Sequence, residues 1–311
     1  MHLVCRLVML CALALACGGA SSNQPPASLP AGGTWRSLSA MPAPRQELAT
    51  AVLNGKIFVI AGFDGAGQPT DSVFIYDPST DRWSSGAPLP IENHHPGAAV
   101  ARGTLFAFGG LSNRTFAYDP APDAWKDVAP ARFRHGDTPA VAVLDDRIYV
   151  AGGTGAGMIG NEVESYDPAT DSWTTLAPMR VPRNHCAGGF IGGRFYVAGG
   201  RPGVGAESAL EAYDPRADVW TTLPSMPTGR SGVAAAAVNG RLYVFGGEGA
   251  RIFGEVEVFD PVTNAWSRLS AMPTPRHGIF ASAIGSSVYL PGGATSPGFA
   301  ATRINEVFEV Q

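Results

Sequence analysis

From Trp35 onward the chain is written in short apolar runs bounded by glycine, proline, asparagine or aspartate. One unit shows the pattern in full: TPAVAVL, RIYVAGG, NEVESY and SWTTLA follow one another from Thr138 to Ala177, with turn residues between them. Runs of this length, rich in β-branched and aromatic residues, predict four strands, here called a to d. Strands a and b are joined by Asn54-Gly55, Arg102-Gly103, Asp145-Asp146, Gly192-Gly193, Asn239-Gly240 and Gly285-Ser286, mostly residues that tolerate the positive φ of a tight hairpin. Between c and d, Asp-Pro pairs such as Asp77-Pro78 and Asp214-Pro215 preset a type I turn.

The unit recurs. The six Trp (35, 83, 125, 173, 220, 266) are 48, 42, 48, 47 and 46 residues apart, the signature of a repeat architecture. An aromatic precedes Trp by seven residues in Tyr76/Trp83, Tyr118/Trp125, Tyr166/Trp173, Tyr213/Trp220 and Phe259/Trp266. From Trp to the second residue of the following Gly pair is 27 residues in five units and 28 in the third; the first unit has Ala61-Gly62 in place of the pair. From there to the strand c aromatic the distance runs from 8 (Gly110 to Tyr118) to 15 (Gly293 to Phe308), so length variation is confined to the b–c loop, where a scaffold tolerates it and function tends to sit.

Gly-Gly, then Tyr, then Trp at this period resembles the kelch repeat over Trp35 to Gln311, and no Trp-Asp dipeptide supports the WD40 alternative. The resemblance implies an all-β, six-bladed kelch-type β-propeller in which strand a lines the central axis. Small residues in strand a, such as Ala49, Ala51, Gly97, Ala98, Gly188, Gly189, Ala234 and Ala281, suit wedges that converge on an axis. The first strand, from Trp35, is a d strand and the last, Asn305 to Val310, is a c strand, so the N-terminal strand is expected to close the last blade.

Length and charge narrow the reading. A chain of 311 residues with equal repeats is best taken as one folded domain over 34–311, and 45% apolar residues beside 39 Gly mean many tight turns rather than disorder. A net charge of -4 without a basic run argues against a nucleic-acid partner. Leu7 to Ala16 is too short to span a membrane and suits a signal peptide over 1–16. LALACGGASS resembles a bacterial lipobox, with Cys17 lipidated after Ala16; an ordinary secretory signal is the alternative. The resemblance, with Gly18 rather than Asp after the Cys, implies an outer-membrane lipoprotein; otherwise the protein is periplasmic. Residues 17–33 then form a tether, leaving the lipid anchor as the sole membrane contact of an expected monomer.

Candidate chemistry gathers at one end of strand a. Arg45, Arg183, Arg230 and Arg276 share the position ten residues after their Trp, and His135 holds it in the third unit beside Arg134. His94, His95, His185 and His277 lie just before strand a. The d–a and b–c loops emerge on the same face, so these residues are expected to ring one mouth of the channel and bind ligand there. The alternative for each is a hydrogen bond to loop backbone. Gly155, Gly157 and Gly160 spell G-x-G-x-x-G, but a strand follows where a dinucleotide site needs a helix. Cys186 occupies the slot of Leu48, Pro96, Pro139, Val233 and Ile279 and reads as a buried apolar group. All eight Tyr fall in two repeated strand positions, leaving none for the copper radical chemistry of some kelch oxidases.

No cofactor is expected. A metal site has no support from spacing, because four imidazoles on separate blades need not converge. The first functional expectation is a binding scaffold for a protein segment or an acidic glycan. The second is an enzyme resembling the periplasmic sialic acid mutarotases, with Glu162, Glu211, Glu255 and Glu306 near the b–c loops but no acid–base pair assigned.

Overall fold

The computed structural model describes residues 33–203 and 205–311. The expected signal peptide, the lipidated Cys17 and all but the last residue of the tether lie outside the described residues. The rest forms six four-stranded antiparallel sheets, each running a-b-c-d outward. The a strands are Ala49–Leu53, Pro96–Ala101, Ala140–Leu144, Ala187–Ile191, Ala234–Val238 and Ser282–Ile284, and each adjoins the next around a closed ring. Thr34–Ser37 pairs with Asn305–Glu309 in the register Trp35↔Phe308, so the N-terminal strand does close the sixth blade.

The repeated aromatics explain the circle. The strand b aromatic of each blade packs on the strand c aromatic of the next: Phe58 on Tyr118, Phe106 on Tyr166, Tyr149 on Tyr213, Tyr196 on Phe259 and Tyr243 on Phe308, with Tyr289 returning to Tyr76. Ring centroids lie between 5.2 and 6.5 Å apart, the range of favourable aromatic pairs. These contacts occupy the two Tyr positions, so the tyrosines serve the blade interfaces.

The seven-residue spacing of aromatic and Trp has its own cause. Trp83 Nε1 donates to the Ser39 carbonyl at 2.8 Å, while Asp81 accepts from Tyr76 Oη at 2.7 Å and from the Ser39 amide at 2.9 Å. One blade thereby clasps the d–a linker of the preceding blade, and Tyr118/Asp123, Tyr166/Asp171 and Tyr213/Asp218 repeat the arrangement. In blade 5 Phe259 has no hydroxyl, and Asn264 stands where the other blades have the aspartate.

The G-x-G-x-x-G stretch forms a small hairpin, Thr154–Gly155 with Met158–Ile159, and leads into strand Val163–Asp167. Cys186 is fully buried, its thiol directed at the Ala151 carbonyl and pushed up in pKa by that burial.

Candidate functional site

The position ten residues after Trp is a structural layer inside the blades. Arg183, Arg230 and Arg276 are fully buried. Each reaches a glutamate on strand c of its own blade: Arg183 to Glu211 at 3.1 Å, Arg230 to Glu257 at 2.6 Å and Arg276 to Glu306 at 2.6 Å. Each also donates to a strand b carbonyl, of Val197, Val244 or Leu290. His135 takes the arginine's place in blade 3, between the Gly152 carbonyl at 2.7 Å and Glu164 at 3.1 Å. Where strand c carries Phe74 instead of Glu, Arg45 lies over that ring and donates to Ser72 Oγ at 2.8 and 3.0 Å. None of the three buried guanidinium groups offers surface to a ligand at the mouth, so the expected arginine ring does not assemble there.

Two residues further on, the chain turns toward the axis. That position holds Glu47, His95, His185, Gly232 and Gly278, and in blade 3, where one residue is inserted, Asp137 and Thr138. All have left-handed φ, from 51° at Glu47 to 62° at Gly232, a conformation that favours glycine and that Glu, His and Thr hold only under constraint. The constraint is a belt of backbone hydrogen bonds around the axis. His95 N–H donates to the Glu47 carbonyl, Glu47 to Gly278, Gly278 to Gly232, Gly232 to His185, and His185 to Asp137, at 2.7 to 3.0 Å. The missing Cβ at Gly278 leaves room for Glu47: a methyl there would sit 2.5 Å from Glu47 Oε1.

The side chains of this belt meet. His95 Nε2 lies 3.2 Å from Glu47 Oε2 and 3.1 Å from His185 Nε2, and Thr138 Oγ1 donates to Glu47 at 3.2 Å. His277, one residue before the belt, points Nδ1 toward Glu47 Oε1 at 3.7 Å and Glu248 Oε2 at 3.5 Å. Arg201 bridges His185 Nε2 at 3.0 Å and Glu248 Oε1 at 3.1 Å. His94 stacks on Phe63 with centroids 4.2 Å apart and approaches His95 Nδ1 at 2.5 Å. Burial dominates the electrostatics. It raises the Glu47 carboxyl to about 7, lowers His94 and His95 to about 4, and holds His185 well below its ordinary value.

Above the cluster opens a hollow of about 390 Å³, lined by Gln46, Phe63, Gly298 and Phe299 besides the charged groups. Gln46 fixes its roof by donating to the Gly298 carbonyl and accepting from the Ala300 amide, both at 2.8 Å. The longest b–c loop is therefore the one that overhangs the mouth. A neighbouring hollow of about 550 Å³ shares Arg201 and Glu248 and extends over Gly203, Gly205 and Ala250.

Of the residues expected at the mouth, His95, His185 and His277 converge and His94 adjoins them. Arg134 lies to the side, donating to the Thr154 carbonyl at 3.2 Å. Glu47, Arg201 and Glu248 were not anticipated. Arg201 and Glu248 directly follow the Gly pairs of blades 4 and 5, where strand b runs out at the mouth, and that position was the available signal.

The model of the KLHDC2/KLHL20/DRC7 Kelch-repeats domain matches residues 138–293, and that of the Kelch motif matches residues 44–90. The chain is 31% identical over 161 residues to Kelch-like protein terF of Aspergillus terreus, which covers 45% of this chain and 34% of that protein. It is 30% identical over 126 residues to Kelch-like protein 35 of Mus musculus, covering 39% and 22%. The chain thus spans only about a third of the first relative's length and less of the second's. Among solved structures it is similar to YjhT, with a TM-score of 0.76 at 16% identity over 86% of this chain and 95% of that one, a likeness of fold.

Proposed function

Because the chain belongs to the kelch-repeat family and folds as its six-bladed propeller, we propose that it is a binding scaffold that takes a protein segment on the face carrying the b–c loops. The observation that carries this reading is the placement of exposed apolar side chains. Leu111, Met158 and Phe299 are 44, 71 and 64% exposed, and all stand on b–c loops of the same face. Exposed apolar groups around a polar depression are what a protein partner covers. Three arginines of the ring that would have selected an acidic partner are closed on their own glutamates, and Arg45 is turned onto Phe74 and Ser72. The mouth offers Arg201 beside Glu248 instead, and a segment of mixed polarity fits that balance.

A second reading rests on the mouth itself, since a hollow of about 390 Å³ floored by hydrogen-bonding groups has the size of a small-ligand site and could take a sugar. A peptide and glycan array separates the two. Peptide capture weakened at least tenfold by Leu111→Asp and by Phe299→Asp is the expected result; capture that both variants leave intact would overturn the assignment of the face. Glycan capture abolished by Arg201→Ala, with no peptide bound, would favour the sugar.

From the lipobox-like LALACGGASS we further propose that the propeller is held at the cell envelope by a lipid on Cys17. Cys17→Ser should then release it from the membrane fraction, and unchanged fractionation would exclude that anchor.

A further inference from the structure

We propose that Glu47, His95 and His185 form a mononuclear site for a divalent transition ion of the zinc type, with its remaining coordination position open to the mouth. The three candidate donor atoms lie within 4.8 Å of one another. Two of the separations, 3.2 Å from Glu47 Oε2 to His95 Nε2 and 3.1 Å from His95 Nε2 to His185 Nε2, approach the ~3.4 Å edge of a tetrahedron with bonds of ~2.1 Å. Two imidazoles and one carboxylate suit zinc, cobalt or nickel rather than magnesium or calcium, which prefer all-oxygen shells.

The groups behind the donors are arranged as a metal site requires. His185 Nδ1 lies 3.0 Å from Asn184 Oδ1, whose amide nitrogen donates to Thr154 Oγ1, so the ring proton sits on Nδ1 and Nε2 presents its lone pair. The Arg201 guanidinium, which only donates, approaches that same Nε2 and requires the same tautomer. His95 Nδ1 faces His94 Nδ1, an acceptor for the ring proton once His95 Nε2 is given to the ion. The proton leaves Nε2 and is carried on Nδ1, so the imidazole remains neutral. Arg201 must swing off His185; its side chain is partly exposed and keeps Glu248 as a partner.

One more polar side chain faces the donors. His277 is buried and its Nδ1 has no hydrogen-bond partner, while its Nε2 faces the Ser296 carbonyl at 3.1 Å. That Nδ1 faces Glu47 Oε1 at 3.7 Å and Glu248 Oε2 at 3.5 Å. Glu47 and Glu248 thus turn two carboxylates toward one space, where a divalent ion on Glu47 supplies counter-charge.

The test uses protein purified without an affinity tag, stripped with a chelator and titrated with cobalt(II) and with zinc. Uptake of one ion per chain, with the intense visible bands of four-coordinate cobalt and a rise in melting temperature on zinc binding, is expected. Glu47→Gln and His185→Gln should each weaken uptake at least tenfold. No stoichiometric uptake by the unaltered protein would overturn the proposal, as would uptake that survives both substitutions. Should a variant fail to fold, the cobalt spectrum and zinc-induced melting shift of the unaltered protein still decide the question.

Discussion

Two positions only two residues apart on the same loop behave in opposite ways. At the first, blades 4, 5 and 6 repeat one solution, a buried arginine on a strand c glutamate and a strand b carbonyl. At the second, the six blades divide among Glu, His, an inserted Asp-Thr pair and Gly, and four of the positions carry Glu, His or Thr in a backbone conformation that glycine holds elsewhere in the same belt. Repetition accompanies groups whose bonding is completed within one blade. Divergence accompanies groups that can be completed only across the axis, by other blades or by something bound. The strained belt is accordingly where a site is to be sought, and the arginine layer is what keeps its loops in place.

That contrast predicts different costs. Glu257→Gln leaves the buried Arg230 without its counter-charge, and loss of one member of such a pair typically costs about 3–5 kcal/mol. Urea unfolding should show a loss of that size, while cobalt uptake by the protein that remains folded stays unchanged. A neutral result would mean the arginine layer is not structural. At the belt, Gly278→Ala adds a methyl at φ 59° against Glu47, a strain of about 1–2 kcal/mol. It should weaken ion uptake far more than its effect on stability suggests, and equal effects on both would erase the distinction.

The smallest effect is expected in the clasps between blades. The Tyr76 hydroxyl holds the Asp81 carboxyl below its ordinary pKa, and Tyr118 and Tyr213 do the same for Asp123 and Asp218. A carboxylate depressed in the folded state contributes stability above its unfolded pKa, and that contribution is lost as pH falls through the lower folded value. Tyr76→Phe should cost about 1 kcal/mol near neutral pH and flatten the acid limb of the stability profile below about pH 4. An acid limb identical to that of the unaltered protein would show that the clasp does not titrate with folding.

What could be read from the chain follows from this division. The propeller was legible because Trp, Tyr and the Gly pair recur at fixed separations, and each serves a contact that every blade must make. The arginines were equally legible as a register but were assigned to the mouth. The sign that they face inward is a glutamate two residues before the strand c aromatic in the units of Arg183, Arg230 and Arg276, namely Glu211, Glu257 and Glu306, with Glu164 at the same position in the unit of His135. Glu47, His95 and His185 were not legible as a set, because they lie on different blades, 48 and 90 residues apart, and linear spacing does not encode their common height on the axis. The backbone supplied that, through positive φ at a position where two other blades carry glycine.

The sixth blade also sets the order of assembly. Thr34–Ser37 is made before every other strand of the ring, and its partner Asn305–Glu309 is the last strand to be made. Five blades can form during synthesis, but the circle must wait for a pairing between residues about 270 positions apart, as in Trp35↔Phe308. Until then strand Asn305–Glu309 has an open edge able to accept a strand from another chain, so dilution or a chaperone that shields that edge should govern the yield of closed propeller.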